Sequence, residues 1–365
     1  MVKLKSRSGL AAWLSTRFRS TPSLDPLQKL KRTRPRWLLD TRTIKLIEFP
    51  SDDLVPPYAI LSHRWEEGQE ISHEEMVQCR SGLTTSLSLS SKSGFEKMVA
   101  ACTEAREHNH AYIWIDTCCI NKGDHGQQSQ DINSMFDYYK NSEVCYVYLY
   151  DYHYGAGPLQ SSWFSRGWTL QELLAPSSVE FFDATWKYCG DRETLSTSMR
   201  HITGIGEDVL RLGYGRYMAR VGIVERISWA IHRETTKEED RAYCLLGLLG
   251  VTLEPCYGEG EESAFERLLN VLEERYYYYV VHLQLGRFSS VEYDGNMYMV
   301  EELFQLLRLK RMIKWVDEEV WAQINILASR LAYYSCFSPG NRLLLLHNLY
   351  PPPFSRCPRY LDSDL

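Results

Sequence analysis

The stretch with the clearest chemical potential in this chain is "SSWFSRGWTLQELLAP", which spans residues 161–176. It places Trp168 and Glu172 four residues apart, so an indole and a carboxylate share one face of a helix. The leucines of the stretch can face a core instead, and they would be sufficient for a helix whose role is only structural. The indole beside the carboxylate, with Arg166 just before them, therefore indicates a ligand-binding or catalytic role.

Two earlier segments supply polar side chains that could act with this helix. The run "YAILSHRW" ends in four candidate ligand-binding residues, Ser62, His63, Arg64 and Trp65. The run "AYIWIDTCCI" places Asp116 and Thr117 after a second apolar stretch. Each residue also has a structural interpretation, because Trp65 and Trp168 could cap a core and Asp116 could cap a helix or turn. Taken together, the three segments predict a binding crevice in which Glu172 is the candidate catalytic residue.

Nucleophilic and metal chemistry find less support in the sequence. A cysteine hydrolase could use Cys118 or Cys119 with His63 and Asp116, but the order of these residues matches no known signature. The chain has ten cysteines but no CxxC pair, so zinc-ligand spacing is missing and no metal is predicted. Most of the thiols are expected to be small buried hydrophobes in a reducing cytosol.

The elements that must position these side chains alternate between strand and helix. Strand-like runs cover residues 58–65, 111–120, 144–151 and 179–186, and helical patterns cover 93–108, 128–140 and 161–176. Such alternation predicts parallel strands joined by helical crossovers, hence an α/β fold with an open, mainly parallel sheet whose central strand is the first. Ligands of such sheets bind outside the carboxyl ends of the strands, where the polar residues lie.

Composition and charge exclude several classes of protein. The content of 44% apolar and 24% charged residues is that of a globular protein, and no apolar run approaches the ~20 residues of a membrane helix. Residues 1–36 hold ten Lys/Arg and one Asp, so the remainder of this chain of net charge -6 carries -15. An acidic body argues against nucleic acid as a partner.

Four regions follow from these patterns. Residues 1–36 are predicted to be a basic, disordered extension of a cytoplasmic protein; a mitochondrial transit peptide is the alternative, because the segment is rich in Arg and Ser. Residues 37–192 form the α/β core and residues 193–275 a helical half. Residues 276–365 are apolar but give few signals for where helices or strands begin and end, and they are predicted to form a divergent C-terminal extension.

Several motifs, in order, resemble the heterokaryon incompatibility (HET) domain of filamentous fungi. They are "WLLDTRTIKLIEFP", "PPYAILSHRW", "YIWIDTCCIN", "WFSRGWTLQELLAP", "ISWAIHRETTKEEDRAYCLLGLLGV" and "YGEGEESAFERL", and they run from Trp37 to about Leu269. The resemblance implies a signalling module in fungal non-self recognition and programmed cell death. It also implies other incompatibility or signalling proteins, or a second copy, as partners. Many HET proteins continue into a NACHT module and WD repeats, whereas this chain has neither a P-loop nor a repeat period.

The same core is similar to Toll/interleukin-1 receptor (TIR) domains, through "YAILSHRW" and "SSWFSRGWTLQEL". In enzymatic TIR domains the glutamate of the second motif serves NAD cleavage, which by position is Glu172. The resemblance thus implies an alternative function, an NAD glycohydrolase whose activity triggers death, with NAD as substrate and no certain cofactor. In that mechanism the helix dipole would keep Glu172 ionised to stabilise an oxocarbenium-like ribose, Trp168 would stack on a flat ring, and Arg166 would meet a phosphate.

Overall fold

A computed structural model of the chain describes residues 31–80, 89–213, 221, 226–227, 229–230 and 233–284. The chain divides into two compact units, residues 1–275 and 276–365. Of the second unit, and of the predicted C-terminal extension, only residues 276–284 are among the described ones. None of the described helices has the length and apolar character that a membrane span requires.

A single seven-stranded sheet forms the centre of the first unit. Its strands are β1 (Trp37–Asp40), β2 (Lys45–Glu48), β3 (Ala59–His63), β4 (Tyr112–Trp114), β5 (Val144–Tyr148), β6 (Val179–Phe182) and β7 (Tyr188–Asp191), in the order β2-β1-β4-β3-β5-β6-β7. The four inner strands β4, β3, β5 and β6 are parallel, and β1, β2 and β7 are antiparallel additions at the two edges. The predicted α/β fold is confirmed, including the central place of the strand that begins near Tyr58.

Helices connect these strands and fill the helical half. They are α1 (His73–Arg80), α2 (Ser93–Glu107), α3 (Asp116–Cys119), α4 (His125–Lys140), α5 (Thr169–Leu174), α6 (Ser196–Thr203), α7 (Glu207–Leu212), α8 (Asp240–Tyr243), α9 (Leu246–Leu249) and α10 (Glu261–Gln284). Short 3₁₀ turns cover Asp52–Leu54 and Ser162–Ser165. All five residues of β3 are buried, as a strand covered on both faces requires.

The sheet is wider than the predicted one, which began at Tyr58 and ended at Trp186. The added strands β1, β2 and β7 have only four residues each, too few for a period of two to stand out in the sequence. The predicted strand over residues 111–120 is also shorter than expected. It ends at Trp114 because Asp116 begins the helical turn α3.

The last residues of the predicted basic extension are bound to the α/β core. The backbone N–H of Arg32 donates to Ser134 Oγ at 3.0 Å, and its Nε donates to Asp52 Oδ1 at 2.7 Å. Lys31 forms an ion pair with Asp137 at 2.8 Å. Lys31 and Arg32, which the prediction assigned to the extension, thus contact the α/β core, and residues 1–30 lie outside the described ranges.

One glycine permits the helical half to approach the α/β core. Gly247 of α9 packs against α4, and a Cβ added at Gly247 would lie 2.1 Å from the Cβ of Phe136. Real carbon atoms do not approach so closely, so any larger side chain at this position must push the two helices apart.

We expect Gly247→Ala to lower the free energy of unfolding by about 3 kcal/mol, because the added methyl group overpacks a buried helix contact. Chemical denaturation of the purified protein measures the change. Gly157→Ala is the matched control, because a Cβ there meets nothing within 4 Å, and its effect should stay within about 0.5 kcal/mol. Equal stability of the two variants would show that α9 does not pack closely against α4.

Candidate functional site

Ser62 and Glu172, two of the predicted site residues, meet in the interior although 110 positions separate them. Ser62 lies near the carboxyl end of β3, and its hydroxyl donates a short hydrogen bond to Glu172 Oε2 in α5. The indole N–H of Trp163 donates to Ser62 Oγ at 2.8 Å. All three side chains are buried, so this chain of hydrogen bonds lies in the protein interior, and the crevice around it stays a prediction.

The buried position of Glu172 decides its protonation. Burial raises the pKa of Glu172 to about 8, and the negative charge of Asp116 adds to the rise, whereas Ser62, Arg166 and Tyr139 lower it. Glu172 is therefore protonated at neutral pH. The expectation that the helix dipole keeps this carboxylate ionised is not met, because α5 has only six residues and the desolvation cost exceeds what so short a helix supplies.

His63 and Asp116 lie next to each other at the same edge of the sheet. His63 Nε2 is 3.5 Å from Glu70 Oε2 and 3.8 Å from Asp116 Oδ1, so the ring lies between the two carboxylates. Burial alone would raise the pKa of Glu70, but His63 and Lys97, whose Nζ is 2.5 Å away, lower it to about 2. Asp116 in turn accepts a hydrogen bond from the indole N–H of Trp65 at 2.7 Å, which fixes the direction of that ring.

Two lysines lie over aromatic rings in the described structure around these residues. Lys122 Nζ is 3.9 Å from the ring centre of Trp65, a side chain that is 40% exposed. Lys237 Nζ is 3.6 Å from the ring centre of Tyr257, whose hydroxyl donates to Asp240 at 2.9 Å. The ammonium groups of both lysines thus make cation–π contacts with these rings.

The remaining predicted residues take different positions. Trp168 interacts with the carboxylate of Asp240 in α8, and this interaction opposes the rise that burial causes in the pKa of Asp240. Arg166 is half-buried, and its charge lowers the pKa of Glu172. Arg64 is half-buried and forms no hydrogen bond or ion pair with any residue that the structure describes.

The cysteine chemistry weighed from the sequence is disfavoured by geometry. Cys118 is fully buried, and its contact with Cys119 together with burial holds its pKa well above the usual range, so the thiol stays protonated. A nucleophilic cysteine needs the opposite environment. Within the described ranges, no group of three or more His, Cys, Asp and Glu side chains is arranged to hold a metal ion.

Several residues of this region escaped the sequence analysis: Glu70, Lys122, Tyr139, Trp163, Lys237, Asp240 and Tyr257. Trp163 stands in the first quoted stretch and lies within the 3₁₀ turn Ser162–Ser165 that precedes α5. Lys237 gave none, because its contact with the Tyr257 ring joins positions far apart in the sequence.

Comparison with known proteins agrees with the motifs. The family described as "Heterokaryon incompatibility protein (HET)" matches residues 58–159. The chain is 38% identical over 235 residues to "Vegetative incompatibility protein HET-E-1" of Podospora anserina. That match covers 60% of this chain and 16% of the relative, so the chain spans only a small part of the relative's length. No solved structure is significantly similar. The family resemblance read from the motifs is thereby confirmed for residues 58–159, which match the HET family.

Proposed function

We propose that this protein is a signalling module of vegetative incompatibility, which leads to cell death when it engages another incompatibility protein or a second copy of itself. The observation that carries the proposal is the 38% identity to a vegetative incompatibility protein. The family match includes β3, β4 and β5, the strands that carry the candidate site.

The arrangement of the site favours binding over catalysis. The exposed features are the Trp65 ring and the two lysines over aromatic rings, which are groups that contact a ligand or a partner. The carboxyl of Glu172 is buried and protonated, so in this conformation it offers no negative charge to a reacting ribose. We therefore place the signalling role first, in the cytoplasm, with partners recognised at this edge of the sheet.

An NAD glycohydrolase is the second candidate. It is favoured by the place of Glu172 beside Ser62 at the carboxyl ends of the parallel strands, with the positive charge of Arg166 nearby. For this function, Glu172 must be reached by substrate and must lose its proton, which requires α5 to move away from β3.

Expression of the full chain in a filamentous fungus separates the two candidates. We expect induction to reduce the count of viable cells, and Glu172→Gln to kill as well as the wild type, because glutamine reproduces the shape and neutrality of the protonated residue. In parallel, the purified protein is incubated with NAD, and the nucleotide should not be consumed.

Trp163→Ala serves as the destabilised control and should kill less than the wild type. NAD loss with the wild type that disappears in Glu172→Gln, together with loss of killing, would instead establish the enzyme. Absence of killing by the folded wild type in compatible and incompatible strains alike would contradict both functions.

A further inference from the structure

The face of the sheet opposite Ser62 carries aromatic rings where β5, β6 and β7 meet. Ser62 is paired with Val147, so these two side chains point to the same face. Tyr148, the next residue along β5, therefore points to the other face. There the indole of Trp186, from the turn between β6 and β7, stacks on Tyr148 with the ring centres 4.9 Å apart.

Tyr188 extends these rings towards the edge of the sheet. Its side chain is 50% exposed, and its ring centre lies 5.8 Å from that of the buried Phe182. The ring centre of Trp186 lies at the same distance from Phe182. Tyr148 and Trp186 are half-buried. The rings of Tyr148, Trp186 and Tyr188, here called the aromatic face, thus present the residue types that are enriched at protein–protein interfaces.

One buried carboxylate fixes the turn that carries these rings. Asp183 Oδ1 accepts the backbone N–H groups of Thr185 and Lys187 at 2.8 and 3.0 Å, and its Oδ2 accepts that of Tyr154 at 2.9 Å. Within this turn Trp186 has a φ of 60°, a conformation that bulky residues rarely adopt. Such strain persists only where the surrounding structure enforces it, and it is found at binding sites. The indole is therefore held in place before a partner arrives, which lowers the entropic cost of binding.

Acidic side chains border the aromatic face. Glu180 of β6 is paired with Asp191 of β7 on one side and with Tyr146 of β5 on the other. Glu104 of α2 reaches the same place through His108, whose Nδ1 lies 3.3 Å from Glu104 Oε1 and 3.2 Å from the hydroxyl of Tyr146. In the part of the chain that the structure describes, neither Glu180 nor Asp191 forms an ion pair with a Lys or Arg. The face thus has negative charge that a partner's cations can balance.

The charges of these acids act on one another. Burial raises the pKa of Glu180, and the negative charge of Asp191 adds to the rise, although His108 opposes it. The pKa of Glu104 is likewise raised by burial and then by Glu107 and Glu180, against the effect of His108. A cation brought to this surface would relieve the repulsion.

We propose that the aromatic face docks a segment rich in Lys and Arg from a partner protein, whose cationic side chains lie over the rings and pair with Glu180 and Asp191. Lys187 already makes a contact of this kind beside the face, with its Nζ 5.0 Å from the ring centre of Tyr154. Nucleic acids and acidic membranes do not fit, because the carboxylates repel polyanions. The proposal rests on the signalling function only in taking the occupant to be a protein, and it concerns the face of the sheet that Ser62 does not share.

Fluorescence anisotropy of a labelled peptide of alternating Arg and Ser, titrated with the full purified chain at low ionic strength, tests the surface. We expect this peptide to bind, and we expect added salt to weaken the binding because the charges are exposed. The same peptide with Glu in place of Arg should not bind. Glu180→Lys should weaken the binding of the Arg peptide about tenfold, because it replaces an attraction with a repulsion. Tyr188→Ala should weaken it about threefold, the scale of one exposed cation–π contact.

Conservative and remote variants make the test specific. Tyr188→Phe keeps the ring and should bind the peptide as tightly as the wild type. Tyr150→Ala is the matched aromatic control, because Tyr150 is 48% exposed but its hydroxyl lies 3.5 Å from Ser162 Oγ, in the turn whose Trp163 packs on the face of Ser62. Glu262→Lys, at an exposed acid of α10, is the matched charge control. Both controls should retain the affinity of the wild type, and thermal unfolding of each variant checks that it is folded.

Three results would overturn the proposal. The first is that the Arg peptide does not bind, or binds no better than the Glu peptide. The second is that Glu180→Lys and Tyr188→Ala bind it no more weakly than the two control variants. The third is that sedimentation shows self-association that Glu180→Lys abolishes while the peptide does not bind, which would assign the face to a second copy of this chain. Because binding is measured on purified protein, its failure leaves the signalling function standing, and a wild type that binds the peptide but never kills would count against that function alone.

Discussion

Glu172→Gln is expected to make the protein more stable at pH 7, by up to about 3 kcal/mol. The folded state holds a proton on Glu172 with a pKa of about 8, whereas the unfolded chain releases it near 4.5. Glutamine needs no proton, keeps the shape of the protonated side chain and can still accept the hydrogen bond from Ser62. The variant therefore avoids the cost of keeping Glu172 protonated.

The sign of the pH dependence follows from the same shift. Below pH 4.5 Glu172 is protonated in both states, and its stabilising contribution is fully present. As the pH rises from 4.5 to 8, the free energy of unfolding of the wild type falls by about 1.4 kcal/mol per pH unit through this group. Urea unfolding at pH 5, 7 and 8 should show wild type and variant diverging with pH. A variant less stable than the wild type at pH 8 would mean that Glu172 is ionised and paired.

Glu70→Gln is the matched control with the opposite sign. The pKa of Glu70 is lowered to about 2, so its contribution is present above pH 4.5 and is lost as the pH falls through 2. Its carboxylate has Lys97 at 2.5 Å, and its side chain is only 15% exposed. Neutralising it should cost about 2–3 kcal/mol at pH 7. Replacement of Glu70 should thus destabilise the protein, whereas replacement of Glu172 should stabilise it.

Trp163→Ala is expected to lower the free energy of unfolding by about 3–5 kcal/mol, the largest loss among these substitutions. The indole is fully buried, packs edge-on against Phe164 and Phe181 at 5.0 and 5.9 Å, and donates to Ser62. Removal of the indole leaves a cavity and also removes the hydrogen bond that Ser62 Oγ accepts.

Trp163→Phe separates these two effects. It fills much of the volume and removes only the N–H, so it should cost about 1–3 kcal/mol. Chemical denaturation of both variants measures the difference. Equal and small losses would show that the indole neither fills the core nor supports Ser62.

The approach of Ser62 to Glu172 could be predicted because strand order follows from alternation and the carboxyl ends of parallel strands share one edge. The protonation of Glu172 could not, because it depends on burial of the carboxyl and on the negative charge of Asp116, which lies far away in the sequence. Hydrophobic periodicity predicted the inner strands, whose apolar runs are long. It missed β1, β2 and β7, because each has only four residues and becomes a strand through pairing with its neighbour in the sheet.

The antiparallel strands at the two edges of the sheet also bear on which piece of this protein could be exchanged with a relative. Residues 58–159, which match the family, contain only β3, β4 and β5 of the seven strands. In a chimera joined at residue 159, Ser62 would face the relative's counterpart of helix α5, and β5 would pair with the relative's counterpart of β6. Recombination that respects the hydrogen bonds must instead move residues 31–272 together.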